Sequence, residues 1–504
     1  MKTILEYLDL QAMLRPEKAA FCDETVCYSF SESKEMTMRI GSVLLSAGAN
    51  RESVAILLPR SATMLLAMLG TMRAGCPYVP LDAELGALRL SSIFERVQPR
   101  FLIADESTEP IARENGFSGT VIRISEAMQT EPDLCALADV YHRLLDVDPA
   151  YIVFTSGSTG APKGVIGKHS AMLDYAEQLT GVLRVTDKDV FGMQAPLYVD
   201  ACLKEILSVL RCGATLWIVP KRLFMAPVEL VRFLNDHAVT TVCWVVPALT
   251  LISSLHTFSE IVPTTLKTIA FGSEVFPIRQ LHLWEQYVPA RYINLYGPTE
   301  CTGMSCWYEI DRAFCDGDRI PIGRPFDNTE ILLLDESDHP ATEGEICIRG
   351  VCLCHGYWND PEHTAAAFVQ NPLCASYPDR IYRTGDHGRY NARGELEFLG
   401  RIDNQIKRMG HRIELGELEN AALKTDGVSG ACAVFDPEKN RLALAYTGTA
   451  EKAAVVTGLR GSVPEYMLPG KVLRLDRMPL TGNGKTDRLA VHRLCFPSKP
   501  SAVK

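Results

Sequence analysis

The sequence predicts an α/β fold: a large N-terminal part made of parallel-rich sheets covered by helices, then a β-rich subdomain, then a small α+β tail. Three observations lead there. Helical periodicities alternate with short continuous apolar runs over the first part of the chain, glycine-punctuated β-rich segments follow from about Pro321, and helix and strand patterns return after Arg401. In order, Met36, Ile40, Val43, Leu44 and Ala47 fall on one helical face, and residues 54–58 after them read as a strand buried on both sides. The alternation resumes with a helix over 227–238 and strands over 241–246, 266–271 and 291–295. Open sheets of this kind hold ligands outside the carboxyl ends of their strands, so the loops there are where chemistry is expected. Residues 330–334, 345–349 and 395–399, bounded by Gly394 and Gly400, read as hairpin strands. In the tail, 415–423 reads as a helix and 431–435 and 442–446 as strands flanking an Asp436-Pro437 turn. A further helix and a last strand near Val472 follow.

Composition narrows the function classes. The chain has 504 residues, and 61 acidic against 51 basic side chains give a formal charge of −10, which disfavours nucleic acid as a partner. Hydrophobic residues at 47% and charged residues at 22% exclude a disordered or fibrous chain. The longest apolar stretch, 241–255, is shorter than a bilayer span and is interrupted by Pro247. Glu6 and Asp9 stand where a secretory leader would be basic and then apolar, so a cytoplasmic protein without membrane attachment is expected. The sixteen cysteines are scattered, and the close pair Cys352 and Cys354 lacks partners at zinc-ligand spacing. Buried thiols are expected, in place of a disulfide scaffold.

One segment carries the strongest chemical signal. An apolar run beginning at Tyr151 enters the loop Thr155-Ser156-Gly157-Ser158-Thr159-Gly160-Ala161-Pro162-Lys163-Gly164. Glycines let backbone N–H groups approach phosphate oxygens, hydroxyls add donors, and Lys163 adds positive charge, so this loop suits a polyphosphate. It is not a Walker A loop, because Lys163 follows Pro162 and precedes Gly164 where that motif needs Lys-Ser/Thr. Four further motifs follow: Asn294-Leu295-Tyr296-Gly297-Pro298-Thr299-Glu300, Tyr382-Arg383-Thr384-Gly385-Asp386, Gly400-Arg401-Ile402-Asp403-Asn404-Gln405-Ile406-Lys407, and Asn483-Gly484-Lys485.

In this order the motifs resemble the adenylate-forming superfamily, which includes acyl-CoA synthetases, luciferases and the adenylation domains of nonribosomal peptide synthesis. The resemblance covers nearly the whole chain. It implies an N-terminal core domain over residues 1–402, a small mobile C-terminal lid domain over 403–504, and an ATP-dependent, AMP-forming ligase with Mg²⁺. It implies that Thr155 to Gly160, Lys163, Asn294, Gly297, Thr299 and Arg401 meet ATP, that Tyr296 stacks on adenine, and that Asp386 holds the ribose hydroxyls. Glu300 becomes the Mg²⁺ ligand, an oxygen donor of the kind that ion prefers. Lys485 becomes the catalytic ammonium at the α-phosphorus, where two anions must be brought together. Asp403 matches the hinge, and Lys407 and Gly410 match the face that arrives for a second, thiol-dependent step.

The acid to be activated is read from the same resemblance. Amino-acid-activating members carry an aspartate for the substrate ammonium in a Phe-Asp-x-Ser context, and Asp200 stands there between Val199 and Ala201-Cys202. A buried carboxylate has no purpose in a fatty-acid pocket, where burial without a partner is costly. The transferred substrate positions are Asp200, Ala201, Lys204, Trp244, Ala270, Gly272, Leu295, Gly303 and Met304, with Lys485. Lys204 lies one helical turn from Asp200 and either neutralises it or, with Asp200 committed to the ammonium, meets a side-chain carboxylate. Aspartate or glutamate is then the substrate, with Trp244 limiting length. The chain shows no pantetheine attachment segment after Lys485, so a separate phosphopantetheinylated carrier protein is the expected acceptor. D-Alanine carrier-protein ligases, and acyl- or aryl-CoA ligases using free coenzyme A, are the alternatives.

Overall fold

The computed structural model describes residues 1–155, 162–402, 405–437, 439–480 and 486–497. It divides into two compact units, the first comprising residues 1–83, 97–154 and 164–402, the second 84–96, 155–163 and 403–504.

Most of the chain forms three sheets. A six-stranded sheet has the order Thr120–Arg123, Phe101–Ala104, Val54–Leu57, Tyr78–Leu81, Pro149–Thr155, Lys163–Lys168. Val54–Leu57 pairs in parallel with both of its neighbours, and its four residues are buried, as a doubly covered strand requires. The helix before it, Phe30–Ser46, starts at a capping box in which Ser29 and Glu32 bond each other's backbone amides. A nine-stranded sheet is parallel through its centre, with Val190–Met193, Thr241–Val245, Thr268–Gly272 and Arg291–Tyr296 side by side. It is closed by antiparallel edges, Cys306–Glu309 and Arg324–Pro325 at one end and Cys27–Ser29 at the other. The apolar stretch beginning at Thr241 is a strand to Val245 and then a helix, Val246–Ser254, because Pro247 sits in the first turn where its missing N–H is harmless. The third sheet is antiparallel and five-stranded, built from Thr329–Leu334, Glu343–Gly350, Arg380–Tyr390, Phe368–Gln370 and Leu396–Arg401. The fold class is thus the mixed α/β architecture expected.

In the second unit Val428–Asp436, Arg441–Gly448 and Lys471–Arg474 form a three-stranded sheet, joined by the helices Leu415–Leu423, Lys452–Ser462 and Arg488–Cys495. Arg89 and Glu417 pair at 2.8 Å with both side chains buried. Lys407 lies on the hairpin Gln405–Arg408 and His411–Glu414, opposite Arg412. Its turn residues Met409 and Gly410 both have positive φ, as tight two-residue hairpin turns demand.

The cysteine expectation needs one correction. Cys22 and Cys27 face each other across the first hairpin and form a disulfide, because the strand register brings Cα atoms five residues apart to 3.9 Å. Of the fourteen free cysteines ten are buried and four are not, among them the exposed Cys135 and Cys315. Among the described residues no helix is long and apolar enough to cross a membrane.

Candidate active site

In the first unit the carboxyl ends of the parallel strands carry most of the singled-out residues. Arg291–Tyr296 ends in Tyr296, and after Gly297-Pro298 the chain makes a single 3-10 turn, Thr299–Cys301. A Cβ on Gly297 would stand 2.3 Å from the Gly303 carbonyl, so only glycine lets the two ends of this loop close together. Glu300 is 1% exposed and accepts a hydrogen bond from the Tyr357 hydroxyl at 2.8 Å on Oε1. One buried carboxylate with an oriented oxygen suits Mg²⁺, which takes few protein ligands and completes its shell with water and phosphate.

Three of the residues that the resemblance assigns to the nucleotide, Asp386, Arg401 and Tyr296, are drawn together across sheets. Asp386 and Arg401 are register partners on the antiparallel strands. Arg401 donates from Nη1 to Asp386 Oδ1 at 2.7 Å and to the Thr384 carbonyl at 2.7 Å. Tyr296 donates its hydroxyl to Asp386 Oδ2, and its own phenol is pushed well up by burial and then by that carboxylate. Tyr296 is 5% exposed and belongs to the apolar cluster beneath the five-stranded sheet. Asn294 is buried too, and its amide is committed to the Pro321 carbonyl at 2.8 Å. Thr155 ends the strand Pro149–Thr155 and Lys163 begins Lys163–Lys168. Ser156, Gly157, Ser158, Thr159 and Gly160, with Asp403 and Lys485, lie outside the described residues.

The substrate positions cluster separately. Lys204, Trp244, Ala270, Gly272, Leu295 and Met304 line one narrow pocket together with Cys243 and Phe271. Trp244 is held by its indole N–H, which donates to the Gly192 carbonyl at 2.7 Å. Gly272 is fixed by strand spacing, since a Cβ there would meet the Leu295 carbonyl at 2.4 Å. Asp200 and Ala201 sit in the short 3-10 helix Asp200–Cys202, and Gly303 with φ +92° precedes Met304. Burial raises the Asp200 carboxyl above its ordinary range, opposed by Lys204 and by a hydrogen bond from Thr299. Lys204 is 5% exposed and forms no ion pair with Asp200 among the described residues. The mutual neutralisation left open by their spacing is therefore incomplete.

Sequence reasoning missed four residues here. Arg60 ties down the strand end that leads to Asp200, donating to the carbonyls of Met193, Gln194, Ala195 and Val219. Tyr357 orients Glu300, and the Tyr175 ring stands where a Cβ on Gly303 would meet it at 3.3 Å. The fourth is Glu205, buried beside Lys204. A lone Arg after Pro59, or a Glu inside an apolar helix, carries no motif that would have marked it.

Residues 8–358 match the family model of the AMP-binding enzyme, and residues 417–485 match that of the AMP-binding enzyme C-terminal domain. Tyrocidine synthase 1 of Brevibacillus parabrevis is 31% identical over 500 residues, covering 97% of this chain and 45% of that protein. Gramicidin S synthase 1 of Brevibacillus brevis is 31% identical over 503 residues, covering 97% of this chain and 44% of the relative. The chain thus spans less than half the length of these relatives. An artificially fused adenylation–PCP di-domain NRPS from Klebsiella oxytoca, NpsA-ThdA, superposes with a TM-score of 0.82 at 24% identity, covering 94% of each chain, which establishes the likeness of fold.

Proposed function

Because the chain belongs to the AMP-binding enzyme family, whose members are ATP-dependent and AMP-forming, we propose that it activates an amino acid with an acidic side chain as aminoacyl-AMP and passes the aminoacyl group to the phosphopantetheine thiol of a carrier protein. The observation that supports the amino-acid reading is Asp200, a buried carboxylate that accepts a hydrogen bond from Thr299 and feels the charge of Lys204. Lys204 in the narrow pocket, buried and without an ion-pair partner among the described residues, supports an anionic side chain.

In this reading Asp200 binds the substrate ammonium and so aims the substrate carboxylate at the nucleotide. That carboxylate oxygen attacks the α-phosphorus, pyrophosphate leaves, and Lys485 offsets the charge that builds up on the phosphoryl oxygens. Asp386, ordered by Arg401 and Tyr296, holds the ribose hydroxyls. The loop from Thr155 to Lys163 cradles the phosphates. Mg²⁺, when bound through Glu300, neutralises phosphate charge. The C-terminal domain, residues 403–504, then turns about Asp403, withdraws Lys485 and presents Lys407 and Gly410 for thiol attack on the adenylate.

The test is ATP–pyrophosphate exchange over a panel of L- and D-amino acids, followed by thiol transfer with carrier protein and with coenzyme A as competing acceptors. Exchange stimulated by aspartate or glutamate, with transfer to the carrier, is the expected result. A panel in which acidic amino acids are inert overturns the substrate. D-Alanine in the same panel identifies the alternative, a D-alanine carrier-protein ligase.

A further inference from the structure

The helix Leu203–Cys212 carries two opposite charges on consecutive buried residues of its first turn, Lys204 and Glu205, each within reach of the other's field. Lys204 lines the cavity. Glu205, next to it, is 0% exposed, and among the described residues neither of its carboxylate oxygens accepts a hydrogen bond from a partner group. An ionised carboxylate in that condition is strongly disfavoured, and a protonated one is not. The groups facing it from the surrounding elements do not remove the conflict. Arg60 attracts the carboxylate but is already committed to four backbone carbonyls. The thiols of Cys202 and Cys243 and the phenol of Tyr175 feel Glu205 as a repelling charge, and burial holds all three neutral. Asp200 lies on the same short stretch and adds a second carboxylate. Cys243 lies on the cavity wall and senses both Glu205 and Lys204, so the charge of Glu205 is felt across that wall.

Building on the acidic-substrate reading above, we propose that Glu205 is a positioning residue that sets the charge of the side-chain pocket. With its carboxyl protonated, Glu205 no longer offsets the Lys204 ammonium and the pocket takes an anionic side chain. With it ionised, the two charges offset each other and the hold on that anion weakens. Binding a side-chain carboxylate therefore draws one proton from solvent onto Glu205. Its proton affinity fits the role, because burial lifts the carboxyl from 4.5 to about 7, against the pull of Lys204, its own amide and Arg60.

Two measurements on the full chain decide the proposal. In pyrophosphate exchange, the wild-type KM for the acidic amino acid should rise about tenfold between pH 6 and pH 8, and Glu205→Gln should hold the low-pH value across the range. Matching pH profiles in the two proteins overturn the proposal. In infrared difference spectra, a protonated-carboxyl band that titrates near neutrality should be present in wild type and absent from Glu205→Gln, and its absence from wild type overturns the proposal whatever the substrate. A titrating band combined with inert acidic amino acids instead removes the substrate reading and the proposal with it, so the two failures are told apart. If Glu205→Gln does not fold, the wild-type profile decides alone, a flat KM being the refuting result.

Discussion

Relative to wild type, Glu205→Gln should gain stability in the first unit as pH rises from acid to alkaline. The carboxyl titrates at 4.5 when exposed and at about 7 in the fold. Between these values the unfolded chain has lost the proton that the folded chain keeps, so fewer protons are bound in the unfolded state and unfolding free energy falls as pH rises. Two and a half units at 1.36 kcal/mol each amount to about 3 kcal/mol, reached above pH 7 and absent below pH 4.5. The conversion is warranted because Glu205 is 0% exposed. Glutamine removes this burden. A buried amide without partners carries its own penalty of ~1–3 kcal/mol, but at every pH, so the change in the wild-type-to-variant difference isolates the titration. Urea unfolding at pH 5 and pH 8.5 reads it. All five tryptophans, Trp217, Trp244, Trp284, Trp307 and Trp358, belong to the first unit, so their fluorescence reports that unit alone. Expected is a variant that gains about 2.5 kcal/mol on wild type between the two pH values, since pH 5 already lies inside the titration window. A difference that does not change with pH refutes the reasoning.

His169 offers the opposite sign in the same assay. It opens the helix His169–Leu183, is 1% exposed, and burial lowers it from 6.5 to about 4, with Asp148 and Asp146 opposing. The unfolded chain binds the extra proton in that window, so wild type should lose about 3 kcal/mol from this group as pH falls from 6.5 to 4, and His169→Gln should lack that loss. Lys204→Met should lower kcat/KM for the acidic amino acid by roughly 10- to 100-fold, the worth of one charge-assisted hydrogen bond, and relax selectivity toward neutral side chains in the exchange panel. Lys485→Ala should leave ATP binding by calorimetry nearly intact while suppressing pyrophosphate exchange; unchanged exchange would refute its role.

The core of the first unit was legible because burial on two faces writes itself into sequence as runs such as Val54–Leu57, each buried in the fold. Boundaries shifted where local chemistry competed, as at Pro247, which turned the expected end of a strand into the start of a helix. Of the substrate positions transferred through the resemblance, six line one pocket. The partners of those positions were not legible. Arg60 lies far from Ala195 in sequence and reaches its carbonyl only in the fold, and Tyr357 reaches Glu300 across 57 residues.

The sequence by itself determined the alternation of helix and strand and the ordered motifs, which rest on local periodicity and residue order, and the class of reaction follows from the family those motifs resemble. Only the tertiary structure decided charge states and pairings. It joined Cys22 to Cys27 through strand register, committed both Asp386 oxygens to Arg401 and Tyr296, and sealed Glu205 away from water beside Lys204. The reason is physical: an ionisable group takes its proton affinity from the water and charge around it, and that surrounding comes from chain segments distant in sequence and adjacent only after folding.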